Sequence, residues 1–172
     1  MSSKNKRSEA VHKVFVACLG NPDRGDDRVG AAVTRALAGR LPDNAALVLR
    51  SGDMLALIDD WTGFDAVVCV DAAAAAGTPG RIRRIDLAGE TLPVDVGVTS
   101  SHAFGLAETV ELARTLQRAP AQIVVYAIEG ERFETGTPMT AVVTAAVDEV
   151  ARRVIDEVRR LGQGATALRA HA

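Results

Sequence analysis

The chain has 172 residues, of which 48% are hydrophobic and 24% charged, with a formal net charge of -2. This length and composition predict one domain with a substantial core, and the balanced charge offers no basic field to a nucleic-acid backbone. No apolar run approaches the roughly 20 residues that cross a bilayer, and the polar residues 1–10 do not resemble a signal peptide. The 2 cysteines lie inside apolar runs, which argues against a disulfide scaffold and favours a cytoplasmic location.

The first predicted element is a strand at residues 14–19, where six apolar residues follow one another. Such a run is typical of a strand that is covered on both faces. The run ends in a turn at residues 20–22. Apolar residues at helical spacing then predict a helix over 28–40, with Asp26 or Asp27 as its N-cap.

The remaining predicted strands lie at 46–49, 66–70, 82–87 and 122–128. The remaining predicted helices lie at 54–61, 100–118 and 139–161. Asp53 is the expected cap of the first of these helices, and Ser100 or Ser101 of the second. Thr137 followed by Pro138 predicts the start of the last one.

The alternation of strands and helices predicts an α/β fold in three layers. We expect a mostly parallel, twisted sheet of about five strands with helices on both faces. The domain is expected over residues 14–161, between a flexible leader at 1–13 and a flexible tail at 162–172.

Acidic residues follow three of the predicted strands. Asp26 and Asp27 lie in the turn after the first strand, Asp71 follows the strand at 66–70, and Glu129 follows the strand at 122–128. Each acid alone has a structural explanation, since acids at a helix start complement its dipole. Because ligands bind beyond the carboxyl ends of parallel strands, however, acids delivered to one edge together indicate a site.

Among the 3 histidines, only His102 lies where a loop enters a predicted helix. Alone, it is equally consistent with a surface or capping residue. Together with Asp27 and Asp71 it forms a set of one imidazole and two carboxylates, which suits a divalent transition metal without selecting one.

Several other chemistries lack their sequence signals. The chain has no G-x-S-x-G elbow for an acyl-serine mechanism. It also has no G-x-x-x-x-G-K-[ST] phosphate loop and no G-x-G-x-x-G fingerprint. Cys18 and Cys69 lie within predicted strands, where thiols usually only pack.

Four segments, in order, resemble the motifs of the hydrogenase maturation proteases. Residues 18–30 resemble the opening G-x-G-N-x-x-x-x-D-[DE]-G-x-G, and residues 70–72 resemble V-D-A. Residues 101–108 resemble the S-x-H-x-x-[GS]-L element, and residues 126–130 resemble the late G-I-E element. The resemblance covers about 14–161.

The resemblance implies that Asp27, Asp71 and His102 are both the metal site and the catalytic residues of an endopeptidase. It further implies that the metal is nickel, already present in the immature large subunit of a [NiFe] hydrogenase. By the same resemblance, the protein is expected to recognise this nickel and to remove the C-terminal extension of the subunit. The expected partner is therefore that precursor, and a monomer is sufficient to process it.

Three further residues are predicted on the substrate side of the site. Asn21 is expected to tie the turn together through hydrogen bonds from its side chain to the backbone. Asp26 is expected to orient water, to hold the loop or to cap the helix. Glu129 is expected to support the metal site or to contact the substrate loop.

The sequence departs from the family pattern at Cys18, Arg28 and Ala127, where glycine is usual, and at Arg50, where many members carry an acid. The last departure leaves open a second hypothesis, a non-catalytic protein that binds the nickel-loaded precursor. A third hypothesis, a nucleoside or phosphoester hydrolase on a similar scaffold, is disfavoured by the scarcity of aromatic residues, at 3% of the chain.

Overall fold

A computed structural model describes residues 11–88, 90–93 and 105–163. Its centre is a five-stranded sheet in the order β2-β1-β3-β5-β4. The strands are β1 to β5 in chain order, at Val14–Leu19, Ala45–Arg50, Ala66–Ala73, Ile82–Asp86 and Gln122–Glu129. The helices are α1 to α4, at Val29–Leu37, Ala56–Asp60, Leu106–Thr115 and Ala141–Gly162, and a 3₁₀ turn at Gly25–Arg28 precedes α1.

Helices cover both faces of the sheet. The residues of α1 and α4 pack with Val16, Val68 and their even-numbered neighbours in one apolar cluster. The residues of α2 and α3 pack with Ala17, Cys69 and Val125 in a second cluster on the opposite face. Alternate strand residues supply the two cores, which is why the strands are continuous apolar runs. The predicted three-layer α/β fold is confirmed.

The sheet is parallel except at one edge. β1 pairs in parallel with β2 and β3, and β3 pairs in parallel with β5, whereas β4 runs antiparallel to β5. The chain leaves β1 for β2 on one side and returns to β3 on the other, so the strand order reverses between β1 and β3. The carboxyl end of this pair is the place where ligands bind in open α/β sheets.

Three helix starts differ from the sequence prediction. Neither Asp26 nor Asp27 caps α1, because both belong to the 3₁₀ turn and the N-cap is Arg28, with no capping hydrogen bond from its side chain. Asp53 does not cap α2, whose N-cap is Leu55. The last helix begins later than predicted, since Thr140 and not Thr137 is the N-cap of α4.

The start of α3 is also a correction. The helix begins at Leu106 after the N-cap Gly105, whose N–H donates to the carboxylate of Glu108 at 3.2 Å. The predicted cap at Ser100 or Ser101 is therefore wrong for this helix, and the two serines lie outside the described residues. Across the described ranges, no helix is long and apolar enough to span a membrane.

Candidate active site

Asp27 and Asp71 lie next to each other at the carboxyl edge of the two central strands. The ladder between β1 and β3 pairs Cys18 with Val70, so Asp71 is level with the last residue of β1, in a strand about 5 Å away. Asp27 belongs to the 3₁₀ turn after β1, and this turn packs against β3. Asp27 is 0% exposed and Asp71 4%. The structure thus brings together two of the three predicted metal ligands.

Gly20 and Asn21 shape the turn that carries Asp27. Gly20 has a φ of +127°, and a Cβ on it would lie only 2.1 Å from the carbonyl oxygen of Asp27. The N–H of Asn21 donates to Oδ2 of Asp27 at 2.9 Å, and Oδ1 of Asn21 accepts the N–H of Asp23 at 2.9 Å. The prediction that the Asn21 side chain ties the turn together is confirmed; its contact with a substrate stays a prediction.

The surroundings of Asp71 disfavour its charged form. Burial raises its pKa most, the negative charge of Asp27 raises it further, and a hydrogen bond from the N–H of Ala72 at 2.8 Å acts in the opposite direction. Together they raise the pKa of Asp71 to about 8. Two buried carboxylates whose charges repel each other are stabilised by a bound proton or by a cation. The pair therefore suits a divalent cation, which carboxylates bind in their deprotonated form.

Asp26 holds the segment after β5 and the start of α4. Its Oδ2 accepts the N–H groups of Glu131 at 2.8 Å and Arg132 at 3.1 Å. Its Oδ1 accepts the N–H and the hydroxyl of Thr140, at 2.7 and 2.9 Å. Burial alone would raise the pKa of Asp26, but these hydrogen bonds lower it below its usual value. These hydrogen bonds give it one of its predicted roles, holding a loop; its contact with a substrate stays a prediction.

Glu129, the last residue of β5, holds the loop between β3 and β4. Its Oε1 accepts the N–H groups of Ala76 at 2.6 Å and Thr78 at 2.7 Å, and its Oε2 lies 3.2 Å from Nη2 of Arg81. Burial alone would raise the pKa of Glu129, but the two backbone hydrogen bonds and the charges of Arg81 and Arg83 lower it. Glu129 is 1% exposed and supports this loop; its contact with a substrate stays a prediction.

Arg50 ends β2 at the same edge, at the position where the resemblance to the maturation proteases leads one to expect an acid. Its carbonyl oxygen accepts the N–H of Gly20 at 3.0 Å. Its guanidinium forms two hydrogen bonds with Asp60, from Nε at 2.7 Å and from Nη2 at 2.6 Å. Asp53, the nearest acid in the sequence, is exposed in the loop after β2. The end of β2 therefore presents an ion-paired cation.

His102, the third predicted ligand, lies outside the described residues. Within residues 11–88, 90–93 and 105–163, no group of three or more His, Cys, Asp and Glu side chains could hold a metal ion. α3 ends at Thr115, shortly before β5 starts at the amino edge of the sheet. The start of α3 is consequently the end nearer the carboxyl edge. The role of His102 stays a prediction.

Sequence reasoning missed Thr140. It is 4% exposed and is the N-cap of α4. Its N–H and its hydroxyl both donate to Asp26. The pair Thr137 and Pro138 is the stronger start signal in the sequence, because proline favours the first helical position. The one signal for Thr140 was a second capping residue directly before an uninterrupted helical pattern.

Comparison with models of protein families assigns the chain to one family. The family model of the hydrogenase maturation protease HycI matches residues 32–157, more than half of the chain. The chain belongs to the hydrogenase maturation protease family, as its motifs predicted, and is a peptide-bond hydrolase of hydrogenase maturation. The matched residues include Asp71 and Glu129 and begin after the turn that holds Asp27. A search of curated proteins finds no significant match.

Solved structures of similar fold include hydrogenase maturation proteases. The hydrogenase maturating endopeptidase HybD from E. coli has 20% identity and a TM-score of 0.70, over 87% of this chain and 94% of that one. An endopeptidase from Escherichia coli has 22% identity and a TM-score of 0.73, with coverage of 87% and 94%. The [NiFe] hydrogenase maturation protease HybD from Thermococcus kodakarensis has 22% identity and a TM-score of 0.65, with coverage of 87% and 99%. At these identities the likeness establishes the fold.

Proposed function

We propose that this endopeptidase recognises nickel in the immature large subunit of a [NiFe] hydrogenase and removes the C-terminal extension of that subunit. The observation that carries the proposal is the buried pair of Asp27 and Asp71, where the strand order reverses between β1 and β3. The nickel belongs to the precursor and is part of the substrate.

The acid pair supports this substrate for an electrostatic reason. Two neighbouring buried carboxylates are unfavourable unless a bound proton or a cation compensates them. Nickel presented by the precursor can replace the proton as the compensating charge, and a neutral peptide cannot. In this proposal Asp27, Asp71 and His102 bind the metal, which fixes the extension at the carboxyl edge of the sheet.

The reaction is a hydrolysis. Water adds across the scissile C–N bond, which leaves a new carboxyl terminus on the subunit and a free amino terminus on the released extension. A bound divalent metal can polarise the scissile carbonyl or lower the pKa of a water molecule. Asp27 and Asp71 contribute by holding that metal close to the bond. The structurally similar protein from Thermococcus kodakarensis is a [NiFe] hydrogenase maturation protease, which supports this class of substrate.

The test is a trimming assay with a large-subunit precursor, prepared with and without nickel. We expect the wild-type protein to shorten only the nickel-loaded precursor on a gel. Asp27→Asn, Asp71→Asn and His102→Ala are expected to abolish this shift. Asp53→Asn is the matched control, because Asp53 is an exposed acid after β2, and it should trim at the wild-type rate.

The other outcomes distinguish the alternatives. Undiminished trimming by all three variants would end the metal-site proposal. A wild-type protein that retains the loaded precursor without shortening it would favour a non-catalytic binding protein. Tight binding of a purine or a phosphate, and none of a metal, would favour a phosphoester or nucleoside hydrolase. Light scattering on the same samples tests the expected monomer.

A further inference from the structure

We propose that Asp26 is a positioning residue of the active site, because it locks the β5–α4 loop, residues 130–140, onto the turn that carries Asp27. This inference rests on the function proposed above. Both carboxylate oxygens of Asp26 are already occupied by hydrogen bonds from the protein itself. It acts through the backbone on which Asp27 stands.

The carboxylate of Asp26 joins parts of the chain that are far apart in sequence. Its four donors lie in Glu131, Arg132 and Thr140, between 105 and 114 positions later. One oxygen binds the beginning of the β5–α4 loop and the other binds its end. The carboxylate therefore fixes both ends of the loop at one point. Charge-assisted hydrogen bonds of this kind are the stronger ones.

The backbone completes the same junction. The N–H of Asp26 donates to the carbonyl oxygen of Arg132 at 2.7 Å, and the N–H of Gly136 donates to the carbonyl oxygen of Asp23 at 2.7 Å. A Cβ on Gly25 would lie only 2.3 Å from the carbonyl oxygen of Arg132. The turn and the loop are thus in direct contact along several residues, with the Asp26 side chain at the centre.

This junction determines where Asp27 stands. From within the turn, the N–H of Asp27 donates to the carbonyl oxygen of Arg24 at 2.9 Å, and Asn21 holds its carboxylate. From outside, the support comes through the preceding residue, Asp26. If that support is removed, the turn can shift relative to β3 and Asp71. A displacement of about 1 Å at a reacting group costs as much as 100-fold in rate.

Asp26→Asn is the direct test, since the side chain keeps its shape. Its Oδ1 can still accept from Thr140, but its amide NH₂ faces the N–H groups of Glu131 and Arg132, donor against donor. We expect kcat for trimming of a nickel-loaded large-subunit precursor to fall by about 10-fold or more, with KM within about threefold of wild type. The assay is run well below the melting temperature of each variant.

Thr140 provides a second, milder pair of variants. Thr140→Val keeps the carboxylate of Asp26 and removes one of its four donors, the hydroxyl at 2.9 Å. Thr140→Ser retains that donor. We expect kcat to fall in Thr140→Val and to return in Thr140→Ser. This pair decides the question if Asp26→Asn does not fold.

Tyr126→Phe is the control for a general loss of stability. It removes a buried hydrogen bond of similar length, 2.9 Å to Glu157, away from the turn. It should keep kcat within about twofold of wild type. Hydrogen exchange at the amides of Glu131 and Arg132 reports directly whether the loop is released, and we expect faster exchange in Asp26→Asn only.

Two results would overturn the inference. One is an equal loss of kcat in Asp26→Asn and Tyr126→Phe at matched stability. The other is wild-type kcat in Asp26→Asn, or in Thr140→Val if the first variant does not fold, while the wild-type protein trims normally. If the wild-type protein does not trim at all, the proposed function fails, and the inference falls with it.

Discussion

Gly20→Ala is the substitution that most directly tests the packing of the acid-bearing turn. Gly20 follows β1 with a φ of +127°, and a Cβ there would lie 2.1 Å from the carbonyl oxygen of Asp27 and 3.0 Å from its Oδ1. The substitution therefore acts on the predicted metal ligand itself. We expect it to lower stability and to abolish trimming.

Two costs add to give the magnitude. A residue with a Cβ at such a positive φ costs roughly 1–3 kcal/mol in backbone conformation. Carbon and oxygen normally approach to about 3.3 Å, so the carbonyl of Asp27 must move by about 1 Å, and forced overpacking costs roughly 1–3 kcal/mol. The free energy of unfolding should fall by about 2–6 kcal/mol, a large part of the roughly 5–15 kcal/mol typical of a domain.

Gly39→Ala is the matched control. Gly39 also has a positive φ, +71°, but no described atom lies within 4 Å of the place that a Cβ would take there. Only the backbone cost of about 1–2 kcal/mol applies at this position. Urea unfolding followed by circular dichroism measures both variants, and the gel-shift assay measures their trimming. Gly39→Ala should trim like wild type.

The reasoning is refuted if the two alanine variants lose the same stability. That result would mean that the contact between residue 20 and Asp27 is not as close as the structure has it. Wild-type trimming by Gly20→Ala would likewise contradict the placement of Asp27 in the site.

Two further predictions concern titratable groups away from the acid pair. Burial alone would raise the pKa of Glu157, but hydrogen bonds from Arg84 and two other side chains lower it to about 2. Because the charged form is favoured in the folded state, its stabilisation is complete above about pH 4.5 and is lost as the pH falls through about 2. The stability difference between wild type and Glu157→Gln in urea should therefore shrink over that window, and a constant difference would contradict it. Burial also raises the pKa of Cys18 to about 11 and that of Cys69 further. Mass spectrometry should therefore find both thiols unlabelled by iodoacetamide in the folded protein and labelled in urea. Labelling of either thiol in the folded protein would contradict its burial.

The strands were predictable because of how they are covered. β1 at Val14–Leu19 agrees with its predicted range, and β5 extends its predicted range by one residue, to Glu129. Both have helices on each face, so all six positions of β1 are apolar, and the polar residues of β5, Gln122 and Glu129, lie only at its two ends. The less covered β2 is longer by one residue at each end than its predicted range of 46–49.

The direction of β4 was not predictable from its residues. Its sequence, with two arginines between Ile82 and Ile85, does not distinguish a parallel from an antiparallel neighbour. The antiparallel pairing with β5 depends on a partner that begins about 40 residues later in the chain. Strand pairing of this kind is decided by long-range contacts, not by local pattern.

The position of the candidate site in the fold was predictable from the sequence, but the roles of its individual acids were not. The topology rule placed Asp26, Asp27, Asp71 and Glu129 at one edge. Two of them, Asp26 and Glu129, hold backbone loops. An acid at the start of a helix has the same local sequence whether it caps that helix or binds a loop 105 positions away. His102, predicted from its place at the start of a helix and from the motif, lies outside the described residues.

The two loop-holding acids have a consequence for how this fold can diversify. Asp26 and Glu129 bind main-chain N–H groups, and the side chains at 76, 78, 131 and 132 are exposed. Any amino acid except proline supplies the same N–H. The exposed side chains of these loops can therefore change over evolution without breaking the hydrogen bonds that hold the loops. Related enzymes could in this way bind different substrate proteins while keeping the same fold.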